Sequence, residues 1–264
     1  MCIFTGSVKN VSTTKIFVAD VDDGQHGCVY SMKAGIKTPV AMVLPVPVKD
    51  QKQEAITFIN LEKYPKFFKD LEDCWEQYLG DMMVGCAGGT RSRSLKVHDV
   101  GQYIASFVPS VAYFAKLHAK FRLSTKLISK FTGYQKFGYA VFQLKDSANE
   151  SDFHPMAFRY TPAQQKQLFF PTVHVHDGET YHKEEHFDHV LYAQPETYAD
   201  RNYWEKNDFV PEQSVKIELT HGLVHPTRPM FKTSLFGEKK NNDYILTPEY
   251  RLNPNPQTLS PVGK

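Results

Sequence analysis

The run Val40-Ala41-Met42-Val43-Leu44 is apolar without interruption and is followed by Pro45. Five consecutive apolar residues, two of them β-branched, are typical of a strand that is buried on both faces. Proline has no backbone N–H to donate, so we expect the strand to end near Pro45. Residues 15–19 and 28–32 also have strand character, and the turn signal Asp22-Asp23-Gly24 separates them. The first 60 residues therefore predict a sheet.

Helical periodicity replaces the strand pattern after residue 60. Apolar residues recur at intervals of three and four over residues 61–79, namely Phe68, Leu71, Trp75 and Leu79. Two further helices are predicted, one after Pro109 and one over residues 125–131, before strand-like stretches return between residues 137 and 219. Strands at both ends with helices grouped between them predict an α+β fold, with a small group of helices packed on a mixed or antiparallel sheet.

The length of 264 residues allows one large domain or two small ones. Residues 231–264 contain several prolines among polar residues, which predicts an extended carboxyl-terminal arm. Residues 80–101 are glycine-rich, basic and polar, and they are the candidate for a seam. We therefore expect a single α+β domain over residues 1–230, with a possible seam at 80–101, followed by the arm over 231–264.

Charge and composition limit the classes of partner. Lys and Arg total 31 against 29 Asp and Glu, and this balance predicts neither a nucleic acid nor a membrane surface as the main partner. There is no run of 18 apolar residues and no signal-peptide pattern at the start, so no membrane span or export is expected. The four cysteines form no Cys-x-x-Cys pair and are interpreted as reduced thiols of a cytoplasmic protein. Nothing in the composition indicates an oligomeric state.

Six of the eleven histidines lie within residues 154–189, which is the strongest chemical signal in the sequence. His174 and His176 are two residues apart, so in a strand their side chains point to the same side. Zinc, copper and non-haem iron all accept imidazole, and a catalytic zinc usually has three protein ligands and one open position. The sequence predicts a site for one zinc or another divalent transition metal, with His174 and His176 as two ligands. The candidates for a third ligand are His154, His182, His186, His189 and Asp177.

Such a metal would lower the pKa of a bound water or polarise a substrate. Asp177 or Glu185 would then move protons, and the predicted activity is hydrolysis of a small-molecule or peptide substrate. Another interpretation stays open, in which His174 and His176 are partly buried imidazoles bonded to the backbone.

Cys2 is a second candidate nucleophile. A small residue after the initiator methionine permits its removal, which would leave a thiol beside a free α-amine. The first twenty residues resemble the opening of amino-terminal-nucleophile amidases of the bile-salt hydrolase type. The resemblance implies that Cys2 is the nucleophile and that Asp20 orients the amine. Those enzymes carry an Arg between the two positions, whereas the first Arg here is Arg91.

A third hypothesis is not enzymatic. The chain has 19 Phe and 14 Tyr, and an aromatic surface together with the arm would suit a binding or assembly module. Oxidoreductase and phosphate-binding functions gain no support, because the glycine motifs of dinucleotide and phosphate loops are absent.

Several stretches within residues 2–176 resemble a large, mostly bacterial family of uncharacterised proteins. They are the early Cys2, Tyr30-Ser31-Met32, residues 41–47, residues 137–142 and residues 155–158. The resemblance implies one continuous α+β unit, and it implies no activity or catalytic residues.

Overall fold

The computed structural model describes residues 3–52, 54–75, 97–130, 132–144, 151–197, 204–247 and 252–254. The strands of these residues are β1 Ile3–Phe4, β2 Lys9–Val21, β3 Gln25–Gly35, β4 Val40–Val46, β5 Ile56–Asn60, β6 Val97–Val100, β7 Tyr103–Val108, β8 Gly138–Leu144, β9 Ser151–Asp152, β10 Met156–Tyr160, β11 Leu168–Phe170, β12 Glu184–Gln194, β13 Glu205–Lys206, β14 Phe231–Lys240, β15 Tyr244–Leu246 and β16 Leu252–Pro254. The two α-helices are α1 Phe67–Glu72 and α2 Thr125–Ile128, and six short 3-10 segments complete the set: Asp22–Gly24, Val111–Lys116, Ala119–Phe121, Thr132–Tyr134, Pro211–Gln213 and Ile217–Thr220.

Three sheets organise these strands. Sheet A has the order β1-β4-β8-β7-β6, sheet B the order β13-β14-β12-β2-β3-β10-β5 with β9 beside β3, and sheet C the order β11-β15-β16. Neighbouring strands are antiparallel except for β2 and β12, which are parallel. A parallel pair needs a long crossover, and here the chain between β2 and β12 supplies most of sheet A.

The apolar run at residues 40–44 forms β4, and every residue of Val40–Val46 is buried. β4 lies between β1 and β8, and the strand continues through Pro45, which stands opposite Tyr139. The prediction of a strand buried on both faces is confirmed. The turn predicted at Asp22-Asp23-Gly24 joins β2 to β3, with positive φ angles of 60° at Asp23 and 64° at Gly24.

Aromatic side chains fill the space between sheets A and B. Phe142 of β8 meets Phe58 of β5 with ring centroids 5.4 Å apart, and it meets Phe158 of β10 at 6.4 Å. Both pairs are in the preferred distance range for aromatic contacts. One buried cluster includes residues of both sheets, so the centre of the molecule is a sheet packed on a sheet.

The predicted α+β fold is wrong, because the described residues are mostly strand in three sheets. The longest α-helix among them has six residues. Among the described residues 61–75, the predicted helix is limited to α1, where Phe67, Phe68 and Leu71 pack on the outer side of sheet B beside Phe17 and Tyr192. Residues 76–79 of the predicted helix lie outside the described residues. The helix predicted after Pro109 is the 3-10 segment Val111–Lys116. The three- and four-residue spacing correctly indicated burial, but turns and 3-10 segments also bury residues at that spacing.

The segment predicted as an arm begins inside the main sheet. Phe231–Lys240 is β14 and pairs with β12 along ten residues, and β15 and β16 form sheet C with β11. Residues 255–264 and most of the predicted seam, 80–96, lie outside the described residues. In the part of the chain that is described, no helix is both long enough and apolar enough to cross a membrane.

Candidate functional site

Residues 171–183, which we call the histidine tract, connect the end of β11 to β12. This tract contacts the start of the chain. The backbone N–H of Phe4 donates to the carbonyl of Val175 at 2.9 Å, and that of Val8 donates to His176 at 2.8 Å. His174 and His176 stack with ring centroids 5.6 Å apart. The two rings lie on the same side, but the predicted strand is wrong here, because β11 ends at Phe170.

Two rings that lie closer to His174 than His176 does come from a different element, β12. His189 of β12 stacks on His174 at 5.1 Å with an interplanar angle of 11°, and their Nε2 atoms are 3.4 Å apart. Phe187 packs against both rings, at 4.2 Å from His174 and 4.9 Å from His189. His174 is 0% exposed and His189 is 1% exposed, so water does not reach the pair.

Burial determines the charge of these rings. Nδ1 of His189 lies 3.3 Å from the backbone nitrogen of Asp188 and 3.6 Å from its Oδ1. Burial lowers the pKa of His174 and of His189 well below the usual range. Burial also lowers the pKa of His176 to about 4. At neutral pH the three rings are uncharged, because the charged forms would lose too much hydration.

Two buried polar side chains hold the backbone of the tract. Asn241 accepts from the N–H of His174 at 2.7 Å and donates Nδ2 hydrogens to the carbonyls of His174 and His182, both at 2.9 Å. One Asp243 oxygen accepts from the N–H groups of Thr172 at 2.8 Å and of the next residue at 3.0 Å. This network satisfies backbone groups that would otherwise be buried without partners.

The remaining predicted ligands lie apart. His154 packs on Tyr103 with centroids 4.6 Å apart, and its Nε2 accepts from the N–H of Gln102 at 3.1 Å. His182 is exposed in the turn before β12. His186 is exposed on β12, with Nδ1 3.3 Å from Oε1 of Glu238.

The structure does not bring the predicted metal ligands together. Within the described ranges, no three or more His, Cys, Asp or Glu side chains are arranged to hold a metal ion. The classification as a metal-binding hydrolase depended on those ligands, so it is wrong. His174 and His189 pack together as buried rings.

Asp177 and Glu185, the predicted proton carriers, have other contacts. The Oδ1 atom of Asp177 accepts from the N–H groups of Glu179 at 2.8 Å and Thr180 at 2.7 Å, which closes a tight turn. Glu185 stands opposite Lys239 in the β12–β14 ladder, and burial raises the pKa of its carboxyl.

Cys2 lies outside the described residues. Asp20, the residue that the amidase resemblance assigns to orienting the amine, already has partners for both oxygens. Oδ1 lies 3.0 Å from Nε2 of His26, and Oδ2 accepts from the N–H of Glu196 at 2.7 Å.

The outer edge of β14 is a feature that no sequence pattern predicted. The short β13 pairs with β14 only at Phe231 and Lys232. Beyond it, residues 234–240 have β12 as their only described strand neighbour. We call residues 234–240 the open edge. The alternation in this segment could have indicated a strand, but its position in the polar, proline-containing tail favoured an arm.

The ladder determines which backbone groups face outward. The N–H of Asn241 donates to the carbonyl of Lys183 at 2.9 Å, so this pair, next in register after Lys240 and Glu184, is a hydrogen-bonded pair. Hydrogen-bonded and non-bonded pairs alternate along an antiparallel ladder. The outward N–H and carbonyl groups of the open edge therefore belong to alternate residues: Ser234, Phe236, Glu238 and Lys240.

Phe236, in the open edge, has an exposed apolar side chain. It is 68% exposed, the largest exposure among the large apolar side chains that the structure describes. The His186 ring meets Phe236 edge-on, with centroids 5.5 Å apart and an interplanar angle of 78°. Gly237 follows with φ of 81°, and an added Cβ there would meet nothing within 4 Å. The open edge thus combines outward backbone groups, an exposed aromatic ring and open space.

Comparison with known proteins gives no family. No protein-family model matches the chain, and the resemblance to an uncharacterised bacterial family stays a prediction. The crystal structure of baculovirus P35 is 15% identical with a TM-score of 0.45, covering 94% of this chain and 99% of that chain. A mutated baculovirus P35 after caspase cleavage is 16% identical with a TM-score of 0.46, covering 93% and 98%.

A third solved structure, the caspase-8/P35 complex, is 15% identical with a TM-score of 0.43, covering 91% of this chain and 89% of that chain. In that complex P35 has a protein partner. Because every one of these TM-scores is below 0.5, the similarity supports no conclusion about this protein.

Proposed function

We propose that the protein is a non-enzymatic binding module, and that an extended segment of a partner protein adds to the open edge as a further strand of sheet B. The observation that carries the proposal is Phe236, 68% exposed in an edge strand and with its own backbone groups directed outward. Adding a strand is a common way to recognise an extended peptide, because main-chain bonds give affinity and alternate side chains give specificity.

The expected energies are moderate. Full burial of a Phe side chain contributes about 1.5–3 kcal/mol, and each new backbone hydrogen bond contributes about 0.5–1.5 kcal/mol net. Part of this gain offsets the entropy of ordering the partner segment. Reversible binding in the micromolar range or weaker is therefore expected, as for many peptide-recognition modules.

Two features of the edge limit indiscriminate pairing. Lys239 and Lys240 are exposed at one end, and charged side chains discourage contact with unselected strands. Gly237 has a positive φ of 81°, which departs from regular strand geometry at the centre of the edge. A partner must tolerate both features, so the edge is suited to selective binding rather than to aggregation.

The test is to block the edge without breaking the sheet. Ser234→Pro removes an outward N–H that the β12–β14 ladder does not use, and proline is tolerated at such edge positions. The matched control, Ser234→Ala, keeps the N–H. The probe is a displayed library of random twelve-residue peptides, panned on all three proteins. We expect enrichment of related sequences on wild type and on Ser234→Ala, and none on Ser234→Pro. Equal enrichment on Ser234→Pro would contradict the proposal.

The amino-terminal-nucleophile hypothesis stays a prediction, and an intact mass showing retained Met1 would exclude it.

A further inference from the structure

We infer that the partner segment has an acidic residue, a basic residue and an apolar residue at alternate positions, read from its amino end. This inference rests on the proposed strand addition. Side chains of Phe236, Glu238 and Lys240 share one face of the open edge, because successive side chains alternate. Residues directly opposite each other in neighbouring strands interact most strongly, and opposite charges are favourable there.

An antiparallel partner strand runs opposite to β14. Its acidic residue faces Lys240, its basic residue two positions later faces Glu238, and its aromatic or β-branched residue, two positions later again, faces Phe236. The face is available for these contacts. Lys240 is exposed and forms no ion pair among the described residues. Glu238 is 72% exposed, and among the described residues its one ion-pair neighbour is the exposed His186 at 3.3 Å.

The chain already contains a smaller example of this pairing. β13 adds to the same edge of β14 in the antiparallel direction and places Glu205 opposite Lys232. The two side chains form an ion pair, with Oε2 and Nζ 3.5 Å apart. Lys232 lies on the same face as Lys240, an even number of positions earlier. A carboxylate opposite a lysine, on an antiparallel strand, is therefore a pairing that this edge accepts.

A second copy of this chain is a poorer occupant. Pairing two open edges over their full length about a twofold axis places Gly237 opposite Gly237, Phe236 opposite Glu238, and Lys240 opposite Ser234. None of these pairs is complementary. A separate segment can carry matched side chains at these positions.

The experiment uses two synthetic twelve-residue peptides that differ only in charge order. One contains Glu-Thr-Lys-Thr-Phe at its centre, and the other contains Lys-Thr-Glu-Thr-Phe. Each is titrated by NMR into wild type and into the double variant Glu238→Lys with Lys240→Glu, whose changes are confined to exposed side chains. We expect wild type to prefer the first peptide about tenfold, and the double variant to prefer the second by a similar factor.

The outcomes separate the two levels of the proposal. Reversal of preference in the double variant supports the charge pattern. Equal affinity of both peptides for both proteins, with binding lost in Ser234→Pro, refutes the pattern and leaves strand addition intact. Binding of neither peptide, together with a displayed library that enriches nothing on wild type, overturns the pattern and strand addition alike. Melting temperatures of the variants within a few degrees of wild type verify that the fold is kept.

Discussion

Replacing Asn241 by Ala should destabilise the protein more than any single change on its surface. The Asn241 side chain is fully buried and makes three hydrogen bonds to the backbone of the histidine tract. In Asn241→Ala, the N–H of His174 at 2.7 Å and two carbonyls at 2.9 Å lose their partner. Each buried group left unsatisfied costs about 1–3 kcal/mol, so we expect a loss of about 3–5 kcal/mol, allowing for some relaxation.

The measurement is urea unfolding followed by circular dichroism, with the slope of the free energy against urea checked for constancy. The matched control is Asn60→Ala. The Asn60 side chain also accepts a backbone N–H, from Glu62 at 2.8 Å, but Asn60 is exposed. Water can replace that bond, and the control should cost about 1 kcal/mol or less. If Asn241→Ala costs no more than Asn60→Ala, the assigned role of the buried network is wrong.

Two further predictions concern pH and the open edge. Burial lowers the folded-state pKa values of His174, His176 and His189, so below about pH 6.5 the unfolded chain binds protons that the folded chain does not. The free energy of unfolding should therefore fall between pH 6.5 and about 4, the folded-state pKa of His176, by up to about 1.4 kcal/mol per pH unit for each histidine. Urea midpoints at pH 7.5, 6 and 5 measure this, and a profile without a decline would contradict the neutral pair. Gly237→Ala should cost about 1–2 kcal/mol because of its φ of 81° alone, since no atom lies within 4 Å of the new Cβ. Thermal unfolding beside Ser234→Ala tests it, and two equally stable variants would refute the strain.

The strands were easier to predict than the helices. The run at residues 40–44 has one interpretation, because a continuous apolar stretch of that length beside prolines fits a strand buried on both sides. The stripe at Phe68, Leu71 and Trp75 has several interpretations, because a short helix followed by a turn buries those residues as well as a long helix does. Local periodicity reports which side chains are buried, whereas the backbone conformation depends on what the segment packs against.

The candidate site, too, could be predicted from the sequence only in part. Sequence spacing placed His174 and His176 on one side, and the stacked rings confirm it. It could not select His189 over the other histidines, because β12 brings that residue to the pair from fifteen positions away. The exposure of Phe236 could not be predicted from a local pattern either. A strand can be recognised as an edge strand only when the order of the strands is known.

The sequence by itself determined that the chain has a large aromatic core, a strand at residues 40–44, a turn at Asp22-Asp23-Gly24 and two histidines on one side of the tract. These features depend on residues close together along the chain. Only the tertiary structure decided that His174 and His189 are buried rings packed on each other, and that β14 belongs to sheet B with an outer edge that no described strand covers beyond Lys232. Both depend on pairings between distant segments, whose energies come from burial and from a ladder register that neighbouring residues do not specify.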